Sequence, residues 1–187
     1  ENPQAHQGLK LIYVGGLGPI YQIHEVVKAV SHLPNVYLTI CTREDCWRAV
    51  QDEYPLVTDS QNIEVRHLSA HQIASIYSDY DIAILAVRDV ENWTFVSPVK
   101  LYEYIGHGLP IIATNQTHVG RFVADHALGW TIAYNHIALQ AILQYLLNNQ
   151  ADIDLKRRNV QNVAREHTWR SRAKVVVDDL LVHSPVG

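Results

Sequence analysis

A lysine and a glutamate one helical turn apart are the residues of this sequence best suited to chemistry. Lys100 and Glu103 lie in the segment PVKLYEYIGHGLP, and on a helix that opens near Pro98 their spacing places both on one face. A lysine in the first helical turn can neutralise a phosphate as a flexible point charge. A carboxylate one turn later can accept two hydrogen bonds from neighbouring hydroxyls, such as those of a ribose. A surface ion pair, worth roughly 0.3 kcal/mol, explains the same spacing equally well.

A glycine-rich turn is the second feature with chemical potential. Gly15, Gly16 and Gly18 stand in the run GGLGP after an apolar segment. Glycines let the backbone approach a ligand, and a helix N-terminus behind them would offer free N–H groups to a phosphate. Pro19 suits the first turn of that helix. The dinucleotide fingerprint is incomplete, since Tyr21 replaces its third glycine, and no GK[ST] follows; a tight strand–helix turn without a ligand is the alternative.

The elements that must position these residues alternate regularly along the chain. The predicted strands are Leu9–Val14, Val36–Cys41, Ile63–Leu68, Asp81–Val87, Leu109–Ala113 and Leu128–Ala133. Unbroken apolar runs such as IAILAV indicate strands buried on both faces, which is typical of a parallel sheet. Strands that alternate with helices predict a Rossmann-like, doubly wound α/β sheet of about six parallel strands. Ligands of such sheets bind at the carboxyl ends of the strands.

The helix predictions and the domain boundaries follow from the same periodicity. We expect helices over Ile20–Leu33 and Glu44–Tyr54, and a third that Ser69 caps. The short polar segment 1–8 is predicted to be a disordered tail, and residues 9–183 to form one domain.

Composition and charge exclude several classes of function. The chain has 15 basic and 19 acidic residues, a net charge of −4, which disfavours nucleic-acid binding. No apolar run approaches the length of a membrane span. Cys41 and Cys46 have no second pair that would complete a zinc site, and His67 and His71 are expected on either side of a helix start, so no metal is predicted. These features predict a cytoplasmic protein with two reduced thiols.

The segment from Pro98 to Ala113 resembles a motif of the C-terminal, donor-binding domain of GT-B glycosyltransferases, in particular the large retaining group-1 family. Many members carry P-x-K-x-x-E-Y/F-x-x-x-G-x-P-V/I-I-A, which is matched here through Lys100, Glu103 and Pro110. Three looser similarities agree: YVGGL at 13–17, IYSDYDIAILA at 76–86 and HTWRSRA at 167–173.

The resemblance implies a function and a set of roles. The chain would bind a UDP- or GDP-sugar for transfer to a glycan or lipid-linked acceptor, without a metal, and an N-terminal domain outside this sequence would hold the acceptor and the catalytic groups. The isolated domain is then expected to be inactive. Glu103 would bind the donor ribose. The diphosphate would contact Gly15, Gly16, Gly18 and Lys100. Near the base or the sugar would lie His67, Leu68, Ser97, Val99 and Leu101.

Departures from the family pattern keep two alternatives open. The basic residues that many relatives carry after the first turn are absent at 16–17 and 21–22, and Phe95 stands where relatives have a second glutamate. Arg43 or Arg88 would then assist Lys100. The alternatives are an enzyme related to sugar-nucleotide epimerases and a non-catalytic donor domain that binds a partner. The basic cluster at 156–158 favours a solvated helix face, and contact of the full-length protein with the inner membrane face is its alternative.

Overall fold

A computed structural model describes residues 8–88 and 99–166 of the chain. Its strands are β1 (Leu9–Val14), β2 (Val36–Cys41), β3 (Ile63–Arg66), β4 (Ile82–Leu85), β5 (Ile111–Thr114) and β6 (Gly129–Ile132). Its α-helices are α1 (His24–Ser31), α2 (Glu44–Val50), α3 (Pro55–Asp59), α4 (Ala70–Ile76), α5 (Val99–Gly106), α6 (His118–Asp125), α7 (His136–Leu147) and α8 (Gln150–Glu166). Short 3₁₀ turns at Gln51–Glu53 and Tyr77–Asp79 complete the described elements.

The six strands form one sheet in the order β3-β2-β1-β4-β5-β6, and every neighbouring pair is parallel. This confirms the predicted doubly wound sheet. The strand order reverses between β1 and β4, because the chain builds outward first on one side of β1 and then on the other. Ligands of such sheets bind in the crevice at this reversal.

Each face of the sheet carries its own apolar core, which explains why the strand sequences do not alternate. Leu11 and Tyr13 of β1 pack with α1, α3 and α7 on one face, while Ile12 packs with α5, α6 and α8 on the other. All four residues of β4 and of β5 are buried. Burial at about 25 cal/mol per Å² of apolar surface stabilises the sheet from both sides.

Several helix ends follow directly from local sequence. Ser69 caps α4 in a capping box, with the Ser69 hydroxyl accepting from the backbone N–H of Gln72 and the Gln72 side chain accepting from the backbone N–H of Ser69. Gly108 ends α5 with a φ of 73°, a left-handed conformation that favours glycine at this position. The helix cap at Ser69, predicted from the sequence, is therefore confirmed.

Other boundaries differ from the prediction. α1 begins at His24 rather than near Ile20, because residues 19–21 form a turn in which the Tyr21 N–H donates to the Gly18 carbonyl. Pro19 consequently lies outside the helix. The predicted helix over Glu44–Tyr54 is broken at Gln51, and the five-residue helix α3 was not predicted.

Candidate functional site

The glycine turn and the start of α5 meet at the reversal of strand order. Gly15 directly follows β1, and its N–H donates to the carbonyl of Cys41 at the end of β2, 2.9 Å away. Lys100 is the second residue of α5. Its side chain lies directly against Gly15, where the ammonium and the adjacent methylene fill the space that a β-carbon would need. The structure therefore brings together two of the predicted diphosphate-binding residues.

The ammonium of Lys100 is held in a largely apolar environment. Its nitrogen lies 5.2 Å from the centre of the Tyr13 ring and 5.0 Å from that of Tyr21, within reach of cation–π attraction. Leu85, Val87, Thr117 and Val119 contribute to the same narrow space. Burial lowers the pKa of Lys100 to about 8, and the negative charge of Glu103 offsets this only in part. A cation that has lost much of its hydration is a strong partner for a phosphate.

Two buried tyrosines fix the turn that Lys100 covers. The Tyr13 hydroxyl donates to the Gly16 carbonyl at 2.6 Å, and the Val14 N–H donates to the Tyr104 hydroxyl at 3.0 Å. Both rings are fully buried. Sequence reasoning missed them, although a tyrosine inside an apolar strand or helix has to find a hydrogen-bond partner for its hydroxyl.

Glu103 lies on α5 one turn after Lys100, with its side chain exposed. Within the described part of the chain its carboxylate makes no ion pair. It is close to Tyr77, since burial first and the Glu103 charge second raise the pKa of that phenol. The Tyr77 ring in turn packs against His107, the residue directly after α5, with 4.4 Å between ring centres. Glu103 is thus free to accept hydrogen bonds from a ligand.

Two buried hydroxyls have no hydrogen-bond partner among the described residues. They are the Oγ1 of Thr42, which directly follows β2, and the phenol of Tyr77. Buried polar groups are satisfied in most proteins, and an orphan costs about 1–3 kcal/mol. Thr42 lies at the carboxyl end of β2, and the Tyr77 ring packs edge-on against that of Tyr104 in α5, with 5.9 Å between ring centres.

Not all of the residues predicted to lie near the base or the sugar are positioned to contact a ligand. His67 is exposed after β3, and its Nδ1 donates to the Thr42 carbonyl at 2.9 Å, while Leu68 packs partly into the core. Val99 is 67% exposed at the start of α5. Leu101 is a correction: it is fully buried, because two residues along a helix the side chain points away from the face that holds Val99. Ser97 lies outside the described residues.

The glycine prediction also needs correction in part. Gly15 has a φ of 150° and a neighbour that excludes any side chain. Gly16 uses its carbonyl to accept from Tyr13, and at Gly18 a β-carbon would meet no atom within 4 Å. Because α1 starts only at His24, Gly18 does not lead straight into a helix N-terminus. The close-approach argument holds at Gly15 alone.

Of the two arginines expected to assist Lys100, Arg43 is already paired with Asp45 on the surface. Arg88 is exposed after β4 and makes no ion pair with the described residues. Phe95 lies outside the described residues. No three His, Cys, Asp or Glu side chains converge as metal ligands within residues 8–88 and 99–166. No helix in the same ranges is both long and apolar enough to span a bilayer.

The family model described as glycosyl transferase-like matches residues 23–178, most of the chain. The chain belongs to this glycosyl transferase-like family. The resemblance drawn from the segment around Lys100 and Glu103 is thereby confirmed, as is the half of a GT-B fold that it implies. Among curated proteins, no sequence matches this glycosyl transferase-like chain.

Solved structures share the fold of this glycosyl transferase-like chain at low sequence identity. Sucrose-phosphate synthase of Thermosynechococcus elongatus has a TM-score of 0.75 at 16% identity, over 96% of this chain and 47% of its own. The Anabaena protein HepE, in complex with UDP and glucose, has a TM-score of 0.73 at 13% sequence identity, and the match covers 95% of this chain and 49% of HepE. WaaG, a glycosyltransferase of lipopolysaccharide biosynthesis, has a TM-score of 0.70 at 16% sequence identity, and the match covers 96% of this chain and 48% of WaaG. The chain spans about half the length of these structures.

Proposed function

We propose that this chain is the nucleotide-sugar-binding domain of a glycosyltransferase, and that a UDP- or GDP-sugar is its ligand. The observation that carries the proposal is the packing of Lys100 against Gly15 at the reversal of strand order, with Glu103 one turn further along the same helix. The UDP complex of the Anabaena relative supports the same class of ligand.

In the proposed complex the diphosphate lies over the Gly15 turn, and Lys100 neutralises its charge. The lysine would stabilise the negative charge that develops on the departing diphosphate, in the role that a metal ion has in other transferases. Glu103 accepts hydrogen bonds from the two ribose hydroxyls. The base lies toward His67, whose ring donates to the carbonyl of Thr42, a residue with an unpaired buried hydroxyl.

Catalysis requires a second domain in this proposal. The acceptor, a glycan or a lipid-linked saccharide, and the general base belong to the other half of the parent protein. The isolated chain is therefore expected to bind the donor without transferring its sugar.

Calorimetric titration of the 187-residue chain with UDP, GDP and ADP tests the proposal. We expect binding of a uridine or guanosine diphosphate that Glu103→Gln weakens roughly tenfold or more, since hydrogen bonds to a charged group contribute about 1.5–3 kcal/mol. Glu53→Gln, which changes an exposed carboxylate away from the site, is the matched control. Equal binding by Glu103→Gln would remove the ribose assignment. Absence of any nucleotide binding at millimolar concentration would favour the non-catalytic module instead.

A further inference from the structure

The space around the Lys100 ammonium is too small for the diphosphate that it is proposed to bind. Its volume is about 10 Å³, which leaves room for at most one water molecule. Six side chains line this space together with Lys100, namely Tyr13, Tyr21, Leu85, Val87, Thr117 and Val119. A phosphate can contact the ammonium only after one of these side chains has moved.

Five of the six lining side chains are fixed by the fold. Tyr13, Leu85, Val87, Thr117 and Val119 are all buried. The hydroxyls of Tyr13 and Thr117 are also bonded to backbone carbonyls, at 2.6 Å and 2.7 Å. Moving any of these residues would open a void in a packed core, which is costly. Tyr21 differs from them, because 38% of its surface is exposed.

Tyr21 stands in an exposed turn between two buried residues. Residues 19–21 are all exposed, whereas Leu17 before the turn and Ile23 after it are buried. Within the turn the Tyr21 N–H donates to the Gly18 carbonyl at 2.8 Å. An exposed side chain in such a turn changes its rotamer within nanoseconds and without disturbing the core. Tyr21 is therefore the lining residue that can move most easily.

The Tyr21 ring also covers the place proposed for the diphosphate. The Lys100 nitrogen lies 5.0 Å from the ring centre. On the other side, a β-carbon at Gly16 would lie 3.7 Å from the Cδ2 atom of the same ring. The ring thus extends from the ammonium to the glycine turn. A phosphate that contacts both Lys100 and this turn must replace the ring.

The replacement is favourable because a phosphate is the better partner for an ammonium. Cation–π attraction to Tyr21 compensates Lys100 in part for the water that it has lost. A hydrogen bond between two charged groups is stronger than this contact. The ring consequently holds the ammonium in the free protein and yields to an anion.

We infer that Tyr21 is a lid over the diphosphate site, which covers Lys100 in the free protein and rotates away when the nucleotide sugar binds. The inference rests on the proposed function. Because the site is accessible only while the ring is turned away, the measured affinity is lower than that of the open site by the fraction of time the lid is open.

The test compares UDP and GDP binding by the wild-type 187-residue chain and by Tyr21→Ala, with dissociation constants from calorimetry and association rates from stopped flow. We expect Tyr21→Ala to bind the nucleotide about two- to fivefold more tightly, the factor that corresponds to one cation–π contact at a partly exposed site. The association rate constant should rise by a similar factor. A ring that stacks on the ligand instead would give the opposite sign, with weaker binding by Tyr21→Ala.

A second measurement needs no ligand. The pKa of Lys100, followed by NMR of the labelled amine, should rise from about 8 toward 10.5 in Tyr21→Ala, since the ammonium gains water when the ring is removed. An unchanged pKa would overturn the lid, because the ring would then not shield the ammonium. Tyr145→Ala removes a tyrosine that is 47% exposed near the end of α7, and it should change neither quantity.

The outcomes separate this inference from the proposed function. Failure of the wild type and of Tyr21→Ala to bind either nucleotide would overturn both. Binding by the wild type with equal or weaker binding by Tyr21→Ala would overturn the lid alone, since the diphosphate would then reach Lys100 without displacing the ring.

Discussion

The ammonium of Lys100 occupies the space that a β-carbon on Gly15 would need, and the Tyr13 hydroxyl lies 3.4 Å from the same point. Gly15 is therefore required twice, for its φ of 150° and for the room that it leaves to the lysine. The two residues belong to segments far apart in the sequence. Their contact creates the proposed diphosphate site.

Gly15→Ala should disrupt this contact. The methyl group would displace the Lys100 side chain and strain the backbone, at a cost of about 1–3 kcal/mol in the free energy of unfolding. UDP or GDP binding should weaken with it. Gly106→Ala is the control, because a β-carbon there meets no atom within 4 Å. Urea denaturation that gives equal stability for Gly15→Ala and the wild type would contradict the packing described.

Lys100→Met should stabilise the domain at neutral pH. The pKa of Lys100 falls from 10.5 to about 8 on folding. Between these two pH values the unfolded chain binds a proton that the folded chain has released, so wild-type stability rises with pH across this window. The variant lacks the rise and should be more stable at pH 7 by roughly 2 kcal/mol. Denaturation curves from pH 7 to 11 measure the free energy of unfolding of both proteins, and Lys28→Met, at an exposed position, is the control. A wild-type free energy of unfolding that does not rise between pH 8 and 10.5 would contradict a buried ammonium.

The Glu25–His136 pair predicts a loss of stability in acid. The hydrogen bonds from His136 lower the pKa of Glu25 in the folded chain despite its burial. The stabilisation is therefore present at neutral pH and is lost as the pH falls through the folded pKa, below 4.5. Glu25→Gln should lower the free energy of unfolding at pH 7 by about 1 kcal/mol. The difference between the two proteins should shrink as the pH falls below 4.5, and a difference that stays constant down to the acid limit of folding would argue against ionisation as the cause.

Thr117 tests the cap of α6. Its hydroxyl donates to the Thr114 carbonyl at 2.7 Å and accepts from the Gly120 N–H at 2.9 Å. Thr117→Val keeps the shape and removes both bonds, which should cost roughly 1–2 kcal/mol. Thr117→Ser keeps the hydroxyl and should lose much less. Thermal unfolding midpoints of the wild type, Thr117→Val and Thr117→Ser test this prediction. Equal midpoints for the two variants would exclude a role for the hydroxyl.

The parallel sheet was predictable because apolar strand segments alternate with helical segments along the whole described chain. IAILAV has no polar alternation, and β4 is indeed buried along its whole length. The Ser69 cap was equally readable, since Gln72 completes a capping box three residues later. Lys100 and Glu103 were placed on one helix by their spacing, which the bounds of α5 confirm.

The remaining details depend on contacts between distant segments. The start of α1 is set by a turn at Gly18 and by the Tyr54 hydroxyl, which accepts from the Ile23 N–H at 3.2 Å. Leu101 is the exception, because its burial was readable from the sequence: Leu101, Tyr104 and Ile105 have the i, i+3, i+4 spacing of the apolar face of a helix, and all three are buried. The contact between Glu25 and His136 joins residues that are 111 positions apart in the sequence.

The reversal of strand order divides the sheet into two halves, β3-β2-β1 and β4-β5-β6, each built from a continuous stretch of chain. Gly15 and Glu25 belong to the first half, and Lys100 and His136 to the second. A nucleotide sugar bound as proposed would therefore contact both halves of the sheet and hold them together. Amide hydrogen exchange should then slow in both halves at once, since neither can open without breaking contacts to the shared ligand.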